Sequence, residues 1–192
     1  MLPVSSTWIP GWAGLTWVLV YAAIATWHLV HLTTMAGVSR LWHAAHVLMA
    51  AGMIDMFWPW GGMPAGPGAG EAVFAAAAVA AGFLALVTVT ASRGRPVRGL
   101  WLLTAADLAV MVYMFALMSL RYLVVVTVLL AGWQLAEAAA WAAGRLGRGH
   151  VTGLRVSLAL MSAGMAYMLL AMQFGMASAG HGGPGMPGMP GM

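Results

Sequence analysis

The apolar stretch "RLWHAAHVLMAAGMIDMFWPW", residues 40–60, carries side chains that are able to bind a metal ion. His46 offers an imidazole nitrogen, and Met49, Met53 and Met56 offer thioether sulfurs. On a helix these four side chains fall within about 80° of arc, because residues on one face recur every three or four positions. Thioethers and imidazoles together favour a soft ion such as Cu(I). The spacing therefore predicts one helix face that binds such an ion.

Two later segments repeat this stripe of methionines. In the first, Asp107, Met111, Met114 and Met118 fall within about 60° of helical arc. In the second, Met161, Met165, Met168, Met172 and Met176 fall within about 80°. Because the sequence has no cysteine, a soft metal ligand in it must be methionine, and thiol chemistry is excluded. Methionine is also a flexible filler of apolar cores, so packing is the competing interpretation of all three stripes.

A polar cluster is predicted beneath the methionines. From the rise per residue of a helix, His31 and His46 lie roughly 8 Å, and Asp107 and Glu137 roughly 10 Å, from the inner ends of their helices. A charged group at this depth in a bilayer is costly and usually faces the interior of the bundle. If the side chains meet, a carboxylate can orient an imidazole as a metal ligand. We therefore expect His31, His46, Asp107 and Glu137 to belong to the metal site.

The histidines of the first two apolar segments have alternative interpretations. These residues are His28, His31, His43 and His46. Two of them from facing helices would be able to ligate haem b, as in membrane cytochromes built from helix bundles. In a purely structural role they would hydrogen-bond to neighbouring helices. Metal binding, haem binding and helix packing all remain open from the sequence.

The elements that position these residues follow from the composition, which is 62% hydrophobic and only 6% charged. Soluble domains carry roughly 25% charged residues, so a soluble fold is not expected. Apolar runs of about 20 residues are long enough to cross a bilayer and must be helical there. Six such runs occur: Trp12–Met35, Leu41–Trp60, Glu71–Ala91, Leu100–Met118, Tyr122–Ala143 and Leu154–Met176. The sequence predicts an all-α membrane bundle of six transmembrane helices over residues 1–176, with a disordered Gly/Pro/Met-rich tail at 177–192.

Arginine residues predict the orientation of the bundle, since cytoplasmic loops collect positive charge. Of the eight basic residues, seven fall in alternate loops, namely Arg40, Arg93, Arg95, Arg98, Arg145, Arg148 and Arg155. Both termini are therefore expected outside. The calculated pI near 10.4 reflects this topology, and no nucleic-acid partner is expected. Ten tryptophans, Trp101 and Trp141 among them, are interpreted as mostly marking helix ends.

The pattern "WHLVHL…RLWHAAHVLMAAGMIDM", followed by further methionine-bearing spans, resembles a family of uncharacterised multi-pass membrane proteins common in actinobacteria. "WHAAHVLMAAGM" is the most specific part, and the resemblance covers roughly residues 8–176. It implies six spans and a bacterial inner membrane, but no activity. No nucleophile or nucleotide-binding motif appears, so an enzyme is not predicted. Three functions remain: a membrane protein that binds or conducts copper, a haem-binding electron-transfer subunit, or a ligand-free accessory subunit of a membrane complex.

Overall fold

The computed structural model describes residues 9–58, 66–91, 97–117, 123–146 and 151–179. These ranges form six helices and contain no strand, which confirms the all-α prediction. The helices are α1 (Gly11–Thr34), α2 (Val38–Phe57), α3 (Pro67–Ala91), α4 (Val97–Leu117), α5 (Val124–Ala142) and α6 (Thr152–Ala179). Helix α3 begins before the predicted Glu71 because a proline is tolerated in the first turn of a helix. Residues 177–179 of the predicted tail are helical, and residues 180–192 lie outside the described ranges.

Five of these helices are long and apolar enough to cross a membrane, as far as the described residues extend. They are α1, α3, α4, α5 and α6, with qualifying segments of 19 to 24 residues. Helix α2 is not among them, although a span was predicted there. Its 20 residues include Arg40, His43, His46 and Asp55, and these polar groups lower its hydropathy. The chain therefore has the helices of a multi-pass membrane protein, with α2 as its most polar member.

Helices that are consecutive in the chain pack against each other in three hairpins. These are α1 with α2, α3 with α4, and α5 with α6. Contacts of α2 with α4, and of α1 with α6, join the hairpins into a bundle. The turn between α1 and α2 contains Gly37, whose φ of 67° suits glycine. Residues far apart in sequence on α1, α2, α4 and α6 are thereby placed around a common core.

The outer surfaces of α3 and α5 are strongly apolar. Val79 and Phe83 on α3 are 73% and 64% exposed, and Val125 and Leu129 on α5 are 71% and 67% exposed. Contiguous apolar surface of this kind is rare on proteins surrounded by water. In a bilayer the same side chains face lipid tails, which agrees with the length and composition of these helices.

Glycines allow the helices of the core to approach closely. A Cβ atom on Gly52 of α2 would lie 2.8 Å from Cε of Met111 on α4. A Cβ atom on Gly164 of α6 would overlap the hydroxyl of Tyr21 on α1, which donates a hydrogen bond of 2.8 Å to the Met161 carbonyl. Small residues at such crossings are the usual means of close helix packing in membranes.

Candidate functional site

Four histidines meet where the end of α1 lies beside the beginning of α2. His28, His43 and His46 are buried, and His31 is partly buried. The Nδ1 atoms of His28 and His43 are 2.8 Å apart, and the rings of His28 and His46 stack with their centroids 4.8 Å apart. His31 stacks on His43 at 5.1 Å. The residues that the sequence singled out as haem or metal ligands are thus in mutual contact.

The contact between His28 and His43 is a hydrogen bond. Two imidazole nitrogens that bind one tetrahedral metal ion lie about 3.3 Å apart, since each metal–nitrogen bond is about 2 Å long. The observed 2.8 Å is shorter and matches hydrogen-bond geometry. One ring must donate while the other accepts, so the neutral pair holds opposite tautomers. Within the described ranges, no three His, Asp or Glu side chains are arranged to hold one metal ion.

The tautomers of His31 and His46 are fixed by the helix backbone. Nδ1 of His31 lies 2.8 Å from the Trp27 carbonyl, and Nδ1 of His46 lies 2.8 Å from the Trp42 carbonyl. A carbonyl oxygen only accepts, so each Nδ1 carries the hydrogen. In the neutral ring Nε2 then keeps a lone pair. His46 presents this lone pair inside the bundle, where it is able to accept a hydrogen bond.

Two buried carboxyl groups lie on neighbouring helices. Asp107 of α4 is 6% exposed and Glu137 of α5 is 5% exposed, and both line the same small cavity. Gln134 Nε2 donates to Asp107 Oδ1 at 2.8 Å, and Trp141 Nε1 donates to Glu137 Oε1 at 3.1 Å. Because both carboxyl groups point into the bundle, the cost of placing them in a membrane is offset by directed donors.

A small cavity joins the histidines to the carboxyl groups. Its volume is about 10 Å³, close to that of one water-sized probe. Its walls include His46 of α2, Asp107 of α4, Glu137 of α5 and Met161 of α6, so four helices meet at it. The structure thus brings together three of the four residues expected in the inner polar cluster. His31 contacts the histidines but is not part of the cavity wall.

The walls of this cavity hold polar atoms whose hydrogen-bonding capacity is unused. Nε1 of Trp42 and Oε2 of Glu137 are buried and have no hydrogen-bond partner among the described residues. Both residues line the cavity. Buried polar groups are nearly always paired, so each exception needs a physical explanation.

Methionines fill the other part of the core. Eight of the predicted candidates are at most 3% exposed: Met49, Met53, Met111, Met114, Met161, Met165, Met168 and Met172. They belong to one cluster of buried apolar residues. Met56 is only partly buried, and Met118 lies outside the described residues. We call these eight residues the methionine half of the core, and the four histidines with Asp107, Gln134 and Glu137 the polar half.

Sequence reasoning missed Gln134 of the polar half and the roles of two tryptophans next to it. Gln134 is fully buried and holds Asp107, yet it was not singled out. Its position three residues before Glu137, on the same helix face, was the available signal. The interpretation of Trp141 as a helix-end marker was incomplete, because it is 2% exposed and donates to Glu137. No sequence pattern indicated that Trp42 lines the cavity, since its position there depends on how α2 packs against the other helices.

Comparison with protein families gives one match. A family model described as a domain of unknown function (DUF5134) matches residues 38–123, from the start of α2 to just before α5. The chain is similar to that family over this segment, which holds the "WHAAHVLMAAGM" motif and both α2 and α4. Neither the curated proteins nor the solved structures give a significant match. A domain of unknown function brings no activity with it, so the function must be argued from the site.

Proposed function

We propose that the protein is an integral membrane protein that binds or conducts Cu(I) through the methionine half of its core. The observation that carries this proposal is the convergence of eight buried thioethers from α2, α4 and α6. Thioether sulfur is a soft ligand that selects Cu(I) over hard divalent ions. It also needs no deprotonation, so it stays available in an apolar surrounding.

The polar half offers such an ion two ionisable carboxyl groups. A monovalent cation in a medium of low dielectric constant is stabilised by a nearby negative charge. Asp107 lies about one turn before Met111 on α4. Asp107 and Glu137 both line the cavity that Met161 also lines. The histidines bond to each other and to the backbone, so in this proposal they support the site and the thioethers bind the ion.

Haem is supported less well by the same geometry. A haem with two histidine ligands lies between the two imidazole rings. The rings of His28 and His46 instead stack directly, with centroids 4.8 Å apart, and the cavity beside them has a volume of about 10 Å³. Haem binding would require α1 and α2 to separate. Haem binding stays a prediction, and so does the role of a ligand-free accessory subunit. The visible absorption spectrum of the purified protein tests for haem.

Orientation is part of the proposal. We expect α2 to cross the membrane beside α1, both termini to lie outside, and the polar half to lie toward the cytoplasm of a bacterial, actinobacterial cell. The distribution of arginines supports this. A reporter that is active only outside the cytoplasm should be active when fused after Met192 and silent when inserted near Arg95. The reverse pattern would overturn the orientation and leave the metal proposal standing.

Copper loading tests the central claim. Purified protein in lipid nanodiscs is equilibrated with Cu(I) under reducing, anaerobic conditions, and bound copper is measured against a chromogenic Cu(I) chelator. We expect at least one tightly bound Cu(I) per chain, sulfur ligands in the X-ray absorption spectrum, and competition by Ag(I) but not by Zn(II). The Met165→Leu, Met168→Leu, Met172→Leu triple variant should lose at least tenfold in affinity.

A matched control uses the same substitution away from the core. Met35 follows α1 and is 41% exposed, so Met35→Leu should leave the affinity for Cu(I) unchanged. Equal affinity in the triple variant and the parent would show that the stripe of α6 is packing alone. Absence of any stoichiometric Cu(I) in the parent would refute the proposed function.

A further inference from the structure

The cavity between α2, α4, α5 and α6 is lined by an unusual set of polar atoms. Trp42 Nε1 is a donor without a partner, and Glu137 Oε2 is an acceptor without one, as far as the described residues show. Trp42 is 8% exposed and Glu137 5% exposed, so neither is satisfied by bulk solvent. With a volume of about 10 Å³, the cavity accommodates one molecule the size of water.

The remaining polar atoms of the wall are acceptors. The hydroxyl of Thr104 donates to the Leu100 carbonyl at 2.8 Å, and that of Ser162 donates to the Leu158 carbonyl at 3.1 Å. Their oxygens therefore have only lone pairs left to offer. His46 donates through Nδ1, which leaves its Nε2 as an acceptor. Trp141 Nε1 already donates to Glu137 Oε1, so Trp42 Nε1 is the wall donor that has no partner among the described residues, and it faces several acceptors.

We infer that this cavity binds one water molecule, which accepts a hydrogen bond from Trp42 Nε1 and donates one to Glu137 Oε2. Water has two hydrogens and two lone pairs, so it matches a wall with one unpaired donor and several acceptors. Its second hydrogen is directed to one of the remaining acceptors, such as His46 Nε2. Buried waters typically make about three hydrogen bonds to groups that are otherwise unpaired.

Other occupants fit the wall less well. An anion would meet the carboxyl groups of Asp107 and Glu137 and the lone pairs of the hydroxyls. A bare cation would find acceptors, but it would leave the Trp42 N–H unpaired and facing a positive charge. An apolar molecule would satisfy neither Trp42 nor Glu137. The unpaired indole donor of Trp42, next to an unpaired acceptor, therefore selects water.

The bound water connects two helices of the site, α2 and α5, whose unpaired polar atoms do not bond to each other. It would link Trp42 on α2 to Glu137 on α5 through hydrogen bonds. It would also place a solvent molecule next to His46 and the carboxyl groups. The polar half then contains a bound water at its border with the methionine half, where Met161 lines the cavity. This inference does not depend on copper binding.

Nuclear magnetic resonance of copper-free protein tests the proposed water site, with water itself as the probe. The indole nitrogens are labelled with ¹⁵N in nanodiscs, and magnetisation transfer from water to each indole N–H is recorded. The variant Trp42→Phe, or Trp42→Tyr should the first not fold, identifies the Trp42 resonance. We expect transfer from water to Trp42, although the side chain is buried from bulk solvent.

A second variant removes the space for the water. Ser162→Val places a methyl group where the hydroxyl lines the cavity, and the transfer to Trp42 should fall at least fivefold. Thr26→Val is the control, because the Thr26 hydroxyl makes the same bond to a carbonyl four residues earlier but lies on the exposed side of α1. Lack of transfer to Trp42 in the parent, or full transfer in Ser162→Val, would overturn the inference. Either result leaves the copper proposal untouched, since no copper is present.

Discussion

Directed hydrogen bonds hold the polar half of the core, whereas undirected contacts hold the methionine half. In the polar half, Gln134 donates to Asp107 and Trp141 donates to Glu137 at defined distances. In the methionine half, residues such as Met165 and Met168 are buried to the same degree but have no polar hydrogen to place. A thioether offers only a weak acceptor, so many orientations have similar energy.

The two halves of the core are therefore sensitive to different kinds of substitution. A buried hydrogen-bonding group that loses its partner retains the full cost of having left solvent. An apolar side chain that is replaced by one of similar volume loses little. Substitutions in the polar half should therefore lower the free energy of unfolding. Substitutions in the methionine half should mainly weaken the binding of Cu(I).

The largest effect is expected for Gln134→Leu. The substitution conserves size but leaves Oδ1 of Asp107 without the donor that lies 2.8 Å away. An unpaired buried carboxyl oxygen should lower the free energy of unfolding by about 3 kcal/mol. Reversible unfolding in mixed detergent micelles, followed by circular dichroism, measures the change.

Gln173→Leu provides the matched control. Gln173 on α6 is partly buried, and its Oε1, like that of Gln134, has no hydrogen-bond partner within the described part of the chain. The bond from Nε2 to Asp107 therefore distinguishes Gln134 from this control. The same substitution there should change the free energy of unfolding by less than about 1 kcal/mol. Equal losses at Gln134 and Gln173 would mean that the bond to Asp107 contributes nothing specific.

The sequence was sufficient to predict the helices and their faces. The spacing of His46, Met49 and Met53 is local, and a helix turns such spacing into a shared face whatever surrounds it. The burial of those three side chains agrees with this. The low hydropathy of α2 was also visible in its own residues, although a full span was predicted there.

The contacts between helices could not be predicted from the sequence. Whether Trp42 faces Glu137 depends on how α2 packs relative to α5, and no local pattern encodes that relation. The hydrogen bond between His28 and His43 likewise arises only when α1 and α2 meet. From spacing alone, these rings were equally compatible with a metal, a haem or each other. Tertiary packing distinguishes the alternatives, because it fixes the distance between the nitrogens.

An intermediate effect is expected at the crossing of α1 and α6. In Gly164→Ala the new methyl group would overlap the hydroxyl of Tyr21, which must shift away from the Met161 carbonyl. Overpacking of this kind should cost about 1–3 kcal/mol of unfolding free energy. Gly132→Ala on α5 is the control, because no described atom lies within 4 Å of the Cβ position there. It should be neutral or stabilising by up to about 1 kcal/mol, since alanine is the better helix former.

The smallest effect on stability is expected for Met168→Leu. Met168 is 3% exposed, and leucine has nearly the same volume, so the loss in unfolding free energy should stay below about 1.5 kcal/mol. Mixed-micelle unfolding of copper-free protein isolates this packing contribution, because no ligand then adds to the stability of the folded state. Addition of Cu(I) should stabilise the parent more than the variant, since the variant lacks one thioether. A loss of 3 kcal/mol without copper would contradict the contrast between the halves, because it would show that Met168 is held as specifically as Asp107.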